Sequence, residues 1–96
     1  MEIVEVLKEK RDEILRIAAR HGASNVRVFG SVARGEETSK SDIEVLVDVT
    51  GETKPGFPGS LAADIEQPLG QRVQVVIRRS LSPLIRDAVL REAVRV

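Results

Sequence analysis

The sequence predicts an α/β fold of the α+β type, in which a small mixed sheet is covered by helices. Three observations lead to this prediction: an amphipathic first segment, three short runs of alternating apolar and polar residues, and helix-like segments between those runs. The elements follow the order helix, strand, short helix, strand, helix, strand, helix, which is typical of a helix-covered sheet. The 96 residues suit one domain, residues 1–96, with a modest core.

The first half of the chain supplies one helix and two strands. Apolar residues recur at helical spacing up to Gly22, which serves as a C-cap; they are Ile3, Val6, Leu7, Ile14, Ile17 and Ala18. We interpret this stripe as a core face, with a partner surface as the alternative. Residues 25–29 predict strand one, residues 31–34 a helical turn, and residues 36–41 a loop. In strand two, residues 42–49, apolar Ile43, Val45, Val47 and Val49 share a face.

The second half begins with a Gly- and Pro-rich loop, residues 50–59, which is a surface connection or a lid. Ser60 is expected to cap a short helix that Gly70 ends and Pro68 distorts. Strand three covers residues 73–77. The last helix starts at Ser82 and Pro83, an N-cap followed by proline at the first helical position. Residues 93–96 could fray, extend this helix or add an edge strand.

Composition restricts the function. The formal net charge is zero and aromatic residues make up only 2%, which disfavours nucleic acid as a substrate. There is no cysteine and one histidine, so the sequence lacks a disulfide framework and cannot build a zinc site from these residues. A charged N-terminus and the absence of a long apolar run predict no signal peptide, no membrane span and a cytoplasmic location. A homo-oligomer is permitted but not required.

Residues 28–48 contain a candidate phosphate and metal site. Gly30 allows close approach of the backbone, and Ser31 opens a helical turn whose N–H groups and hydroxyl can bind a triphosphate. Asp42 and Glu44, two residues apart on a strand, face the same side and can share a divalent cation. If strands one and two are antiparallel neighbours, the turn and both acids meet at one edge of the sheet.

Arg34 lies one turn after Ser31. Its forked donors can bridge phosphate oxygens, and the alternative is a surface salt bridge to Glu36 or Glu37.

The segment VFGSVARGEETSKSDIEVLVD resembles the GSxxRG…SDxDLLVD signature of the minimal nucleotidyltransferases, small members of the DNA polymerase β-like superfamily. The resemblance covers nearly the whole chain and includes the closing SLSPLIRDAVLREAV. It implies a nucleotidyltransferase fold and Mg²⁺-dependent transfer of AMP from ATP. Many family members are antitoxins paired with a HEPN-domain ribonuclease toxin, and some inactivate the toxin by transferring AMP from ATP to a tyrosine near its active site.

The resemblance assigns roles residue by residue. Gly30 and Ser31 match the nucleotide-phosphate turn, and Asp42 and Glu44 match the catalytic, metal-binding acids. The family usually has Asp at the second position. The extra methylene of Glu44 shifts its oxygens by roughly 1.5 Å. Because Mg²⁺ demands near-octahedral geometry, we expect weakened rather than abolished binding.

Gln74 stands where the family carries its third catalytic acid on strand three. An amide can lend an oxygen to a cation but cannot act as a general base, and it removes one negative charge. Asp48 is no substitute, because six residues of strand separate it from Asp42 by about 20 Å. Glu36 or Glu37 could reach in from the loop. A register shifted by one would instead turn Gln74 outward and place a valine at the site.

Three functions therefore remain open. The first is a protein adenylyltransferase whose activity Gln74 reduces or removes. The second is a non-catalytic antitoxin that neutralises its toxin by binding through the apolar stripe of the first or last helix. The third is a small-molecule nucleotidyltransferase, against which the short chain argues.

Overall fold

The computed structural model describes residues 3–36, 38 and 41–96. The helices and strands in this part of the chain are, in order, α1 Ile3–Glu9, α2 Arg11–Arg20, β1 Ala23–Phe29, α3 Ser31–Arg34, β2 Ile43–Val49, α4 Gly59–Leu69, β3 Val73–Ile77, α5 Pro83–Glu92 and β4 Val94–Arg95, with a 3₁₀ turn Arg78–Ser80 before α5. Among these helices, none is both long enough and apolar enough to span a bilayer.

The four strands form one mixed sheet in the order β3-β2-β1-β4. Strand β1 runs antiparallel to β2 and β4, whereas β2 and β3 are parallel. In this register Glu44 lies opposite Phe29 of β1 and Gln74 of β3. The end of β1 and the starts of β2 and β3 therefore meet at one end of the sheet, which confirms the predicted α/β class and the antiparallel pairing of strands one and two.

Strand β2 is packed on both faces. Its apolar face, Ile43, Val45 and Val47, joins the main core with residues of α2 and α4: Ile14, Ile17, Ala18, Leu61 and Ile65. On the opposite face Leu46 is fully buried and packs with Phe29 and Leu81 in a second, smaller core. This alternation agrees with the pattern of the sequence, in which apolar residues on one face alternate with Glu44, Leu46 and Asp48 on the other.

The first helix differs from the prediction because it is divided into α1 and α2 at Lys10. Lys10 has φ −96° and ψ 7°, outside helical values. The Lys10 N–H donates to the Val6 carbonyl at the end of α1, and the Lys10 carbonyl accepts from the Ile14 N–H at the start of α2, both at 2.9 Å. The segment is thus two helices in direct succession, joined at Lys10.

The apolar stripe shared by α1 and α2 faces the core. Ile3, Leu7, Ile14, Ile17 and Ala18 are all buried, so these residues are not available as a partner surface.

The ends of several other helices and strands differ slightly from the predicted ones. Strand β1 begins at Ala23, two residues earlier than expected, and α4 begins at Gly59 rather than at Ser60. The last residues add the edge strand β4, since Val94 pairs with Val28 on the free side of β1. The predicted cap of α5 is confirmed, because the Ser82 hydroxyl accepts a hydrogen bond from the Leu84 N–H at 3.3 Å.

Candidate functional site

The turn after β1 depends on glycine at position 30. Gly30 has φ 75° and ψ −149°, close to a region of backbone conformation that is essentially restricted to glycine. A Cβ at this position would overlap Glu44 Oε2, because that carboxylate lies directly against the turn. The backbone conformation therefore favours glycine at position 30, and any side chain there would also have to displace the end of the Glu44 side chain. The structure brings the predicted Gly-Ser turn and one predicted acid into contact.

A carboxylate that the sequence did not single out binds this turn. Glu92, the last residue of α5, accepts a hydrogen bond from the Gly30 N–H. Its two oxygens also accept from Arg34 Nη1, at 2.9 and 3.0 Å. Glu92 lies within the closing segment that resembles the family, but nothing in its local sequence marks it as a site residue. Only the packing of α5 beside the turn brings it there.

Arg34 makes one of the predicted surface salt bridges. Its Nε donates to Glu36 Oε1 at 2.9 Å, while Glu37 lies outside the described residues. Hydrogen bonds to Glu92 and then to Glu36, reinforced by their negative charges, hold the pKa of Arg34 above its ordinary value. The guanidinium is exposed and stays charged, so it is a permanent cation beside the turn.

The paired acids lie at the start of β2. Asp42 is exposed, one residue before the strand begins, and Glu44 is partly buried within it. Gln74 lies beside Glu44 in the parallel register, whereas its neighbours Val73 and Val75 are buried in the main core. The shifted register, in which Gln74 would point away and a valine would take its place, is therefore wrong. Asp42 and Gln74 also line an open cleft of about 450 Å³ at the outer edge of β3.

By residue type, this set of donors is compatible with one Mg²⁺ ion. Mg²⁺ is usually bound by one or two protein carboxylates together with water and substrate phosphates, and an amide oxygen is also an acceptable ligand. Asp42 and Glu44 would hold such an ion, with Gln74 next to them. Within residues 3–36, 38 and 41–96 no cluster of three or more His, Cys, Asp or Glu residues could hold a metal. The described site thus offers a pair of carboxylates rather than a triad.

Of the other acids considered for the third position, Asp48 and Glu36 are engaged elsewhere, and Glu37 lies outside the described residues. Asp48 accepts hydrogen bonds from Arg27 Nη2 at 2.8 Å and from Asn25 Nδ2 at 3.0 Å, at the opposite end of β2. Glu36 binds Arg34 rather than approaching the strand acids. Neither residue replaces the missing carboxylate in this conformation.

A second cleft, of about 550 Å³, lies at the far end of the sheet and is lined by residues of the 50–57 loop and the end of α2. His21, in its wall, lies 2.7 Å from Asp64 through Nε2 and Oδ2, which joins the end of α2 to α4. The cleft contains none of the predicted site residues, so its larger size does not make it the catalytic site.

The family described as "Polymerase beta, Nucleotidyltransferase" matches residues 3–96 of this chain. The chain belongs to this nucleotidyltransferase family. The protein adenylyltransferase MntA of Thermococcus cleftensis is 36% identical to it over 97 residues, which cover 99% of this chain and 93% of that protein. The predicted membership of the polymerase β-like nucleotidyltransferases is confirmed.

Solved structures support the same family and fold. A provisionally assigned minimal nucleotidyltransferase is 43% identical, with a TM-score of 0.86 over 100% of this chain and 97% of the other. The complex of a tri-AMPylated HEPN toxin of Shewanella oneidensis with its MNT antitoxin contains a chain that is 18% identical, with a TM-score of 0.69 over 92% of this chain and 69% of that one. At that identity the likeness shows the fold alone. The nucleotidyltransferase fold predicted from the sequence is confirmed.

Gly30→Ala is expected to destabilise the protein by about 3 kcal/mol, because the side chain forces a conformation reserved for glycine and displaces Glu44. Gly70→Ala is the matched control: Gly70 has φ 63° and ψ 24°, but a Cβ there meets no atom within 4 Å. Its cost is expected to be about 1 kcal/mol. Urea unfolding of both variants measures the difference. Equal losses would show that position 30 carries no strain beyond that of an ordinary left-handed turn.

Proposed function

We propose that this protein is a Mg²⁺-dependent protein adenylyltransferase that transfers AMP from ATP to a tyrosine hydroxyl of a partner HEPN toxin and thereby acts as its antitoxin. The observation that carries this proposal is the meeting of the Gly30 turn with Glu44 at one end of the sheet. The name of the 36% identical relative, a protein adenylyltransferase, supports the reaction, and the HEPN toxin complexed with an MNT antitoxin supports the partner.

In the proposed reaction the turn binds the nucleotide. The Gly30 N–H, the Ser31 hydroxyl and the Arg34 guanidinium are donors for the triphosphate oxygens. Asp42 and Glu44 would hold Mg²⁺, which when bound would neutralise negative charge that develops on the phosphates. These residues fix the position of the α-phosphate relative to the incoming hydroxyl, and positioning is a large part of catalysis in phosphoryl transfer.

The chemistry replaces one phosphorus–oxygen bond with another. The tyrosine oxygen forms a bond to the α-phosphorus, the bond to the β-phosphate oxygen breaks, and pyrophosphate leaves with the electron pair. The hydroxyl proton must go to a base. The neutral amide of Gln74 cannot accept it, so the proton leaves to solvent. We therefore infer a slower reaction than a third carboxylate at this position would allow.

The test of this function combines the purified protein, Mg²⁺, the HEPN toxin and ATP labelled at the α-phosphate. Label is expected on a toxin tyrosine, and Asp42→Asn should slow its transfer by about 100-fold or more, because a lost metal ligand removes several kcal/mol of transition-state stabilisation. Asp48→Asn makes the same substitution near the far end of β2 and is the matched control, which should leave transfer unchanged. If no label reaches the toxin while the toxin is still neutralised, the enzymatic function is wrong.

In the same assay Gln74→Asp is expected to raise the rate of transfer by about tenfold or more, since it adds a metal ligand and a general base beside Glu44. Gln67→Asp makes the same substitution at an exposed position on α4 and should have no effect. The absence of any gain in Gln74→Asp would mean that the third carboxylate does not limit the reaction.

A second candidate function, neutralisation of the toxin by binding alone, is favoured by one observation on α5. Leu84 is 95% exposed and Ile85 51%, whereas the stripe of α1 and α2 is buried. Of the two helix faces that the sequence offered as a partner surface, only that of α5 is available. Large exposed apolar side chains that lie together on one helix are typical of protein contacts.

If α5 is the docking surface, Leu84→Ser should weaken toxin binding by about tenfold, because the buried contact area of a leucine is lost. Its thermal stability should not change, since Leu84 contributes almost nothing to the core. Val4→Ser, on the exposed side of α1, is the control and should bind normally. Isothermal titration with the toxin measures these affinities. Normal binding by Leu84→Ser would exclude this surface.

A further inference from the structure

The contact of Glu92 with the Gly-Ser turn uses donors that a nucleotide needs. Glu92 accepts from the Gly30 N–H and, through both oxygens, from Arg34, residues 62 and 58 positions away in the chain. Its side chain is 27% exposed, so the carboxylate is held between α5 and the turn rather than in free solvent. The arrangement of a backbone N–H and a guanidinium around one anion is that of a phosphate site, with a carboxylate in place of the phosphate.

We propose that Glu92 is an intramolecular competitor of the nucleotide, and that a triphosphate must displace its carboxylate to bind the turn. The proposal rests on the proposed function, which assigns Gly30 and Arg34 to the triphosphate. One N–H group cannot donate a full hydrogen bond to two acceptors at once. In addition, a phosphate and a carboxylate that share the same cation repel each other.

The surroundings of the turn make this competition unavoidable. Glu44 already lies against Gly30, so the carboxylates of Glu44 and Glu92 approach the same backbone unit. Arg34 is the cation that binds Glu92 there, and it also binds Glu36. A triphosphate added beside both acids would raise the local negative charge further. Release of Glu92 removes one negative charge from the turn and returns two sets of donors to the ligand.

The fold allows the side chain to leave without unfolding α5. The residues immediately after Glu92 are anchored, because Val94 pairs with Val28 in the sheet. The half-buried Val89 and Leu90 pack against the second core of Phe29, Leu46 and Leu81. Rotation of the Glu92 side chain is therefore enough to vacate the turn, and the helix and strand on either side keep their positions.

The experiment measures the affinity of the purified protein for ATP with Mg²⁺ by isothermal titration. Glu92→Gln keeps the shape and one acceptor oxygen but removes the charge, and it is expected to lower the Kd for ATP about tenfold, the worth of one charge-assisted hydrogen bond. Asp87→Asn removes one carboxylate from the exposed side of the same helix and is expected to leave the Kd unchanged. This control separates a local effect from the change in net charge.

A purely structural role for Glu92 predicts the reverse result. If Glu92 only braces the turn, Glu92→Gln binds ATP as weakly as the unmodified protein or more weakly, and the competition is refuted although the proposed function stands. If neither protein binds ATP, the proposed function fails and the competition fails with it. Should Glu92→Gln not fold, Glu92→Asp provides the second variant. Its carboxylate is withdrawn by one methylene, so it should also bind ATP more tightly, and an unchanged Kd would overturn the proposal.

Discussion

The pairing of β2 with both of its neighbours is the interaction on which the rest of the molecule depends. Its register places Glu44 between Phe29 of β1 and Gln74 of β3. A slip of one residue would reverse the two faces of the strand, so that Glu44 would enter the main core and Val45 would leave it. Val45 is 1% exposed and Leu46 fully buried, and this packing on both faces fixes the register. The hydrophobic core thus positions the polar site.

The site itself is dominated by negative charge around one backbone turn. Glu44 lies against Gly30, Glu92 binds its N–H, and Arg34 is the cation beside them. Such a turn binds phosphate only when its negative neighbours are neutralised or moved. In the function proposed above, Asp42 and Glu44 would be neutralised by a bound Mg²⁺, and the nucleotide would displace Glu92. Gln74, at the position of the third acid, lowers the negative charge of the site, which favours phosphate binding. It also removes a base for the hydroxyl proton, which slows the transfer.

Helix α5 connects the two surfaces to which the proposals above assign a function. Its last residue, Glu92, binds the turn, while Leu84 and Ile85 near its start are exposed. The helix has no fully buried residue of its own and is held by half-buried Val89 and Leu90. A catalytic antitoxin and a binding antitoxin would therefore use different ends of the same helix, and variants at the two ends can be examined separately.

The sequence alone determined the features that depend on near neighbours. Alternation in β2, the Ser82 cap of α5 and the two acids spaced by one residue are local patterns, because side-chain direction and capping act over a few residues. The tertiary structure decided how distant segments contact one another: the apolar stripe of α1 and α2 packs into the core, Val94 adds an edge strand, and Gln74 lies beside Glu44. The contact of Glu92 with Gly30 is of the second kind, since 62 residues separate them and only the packing of α5 on the sheet joins them.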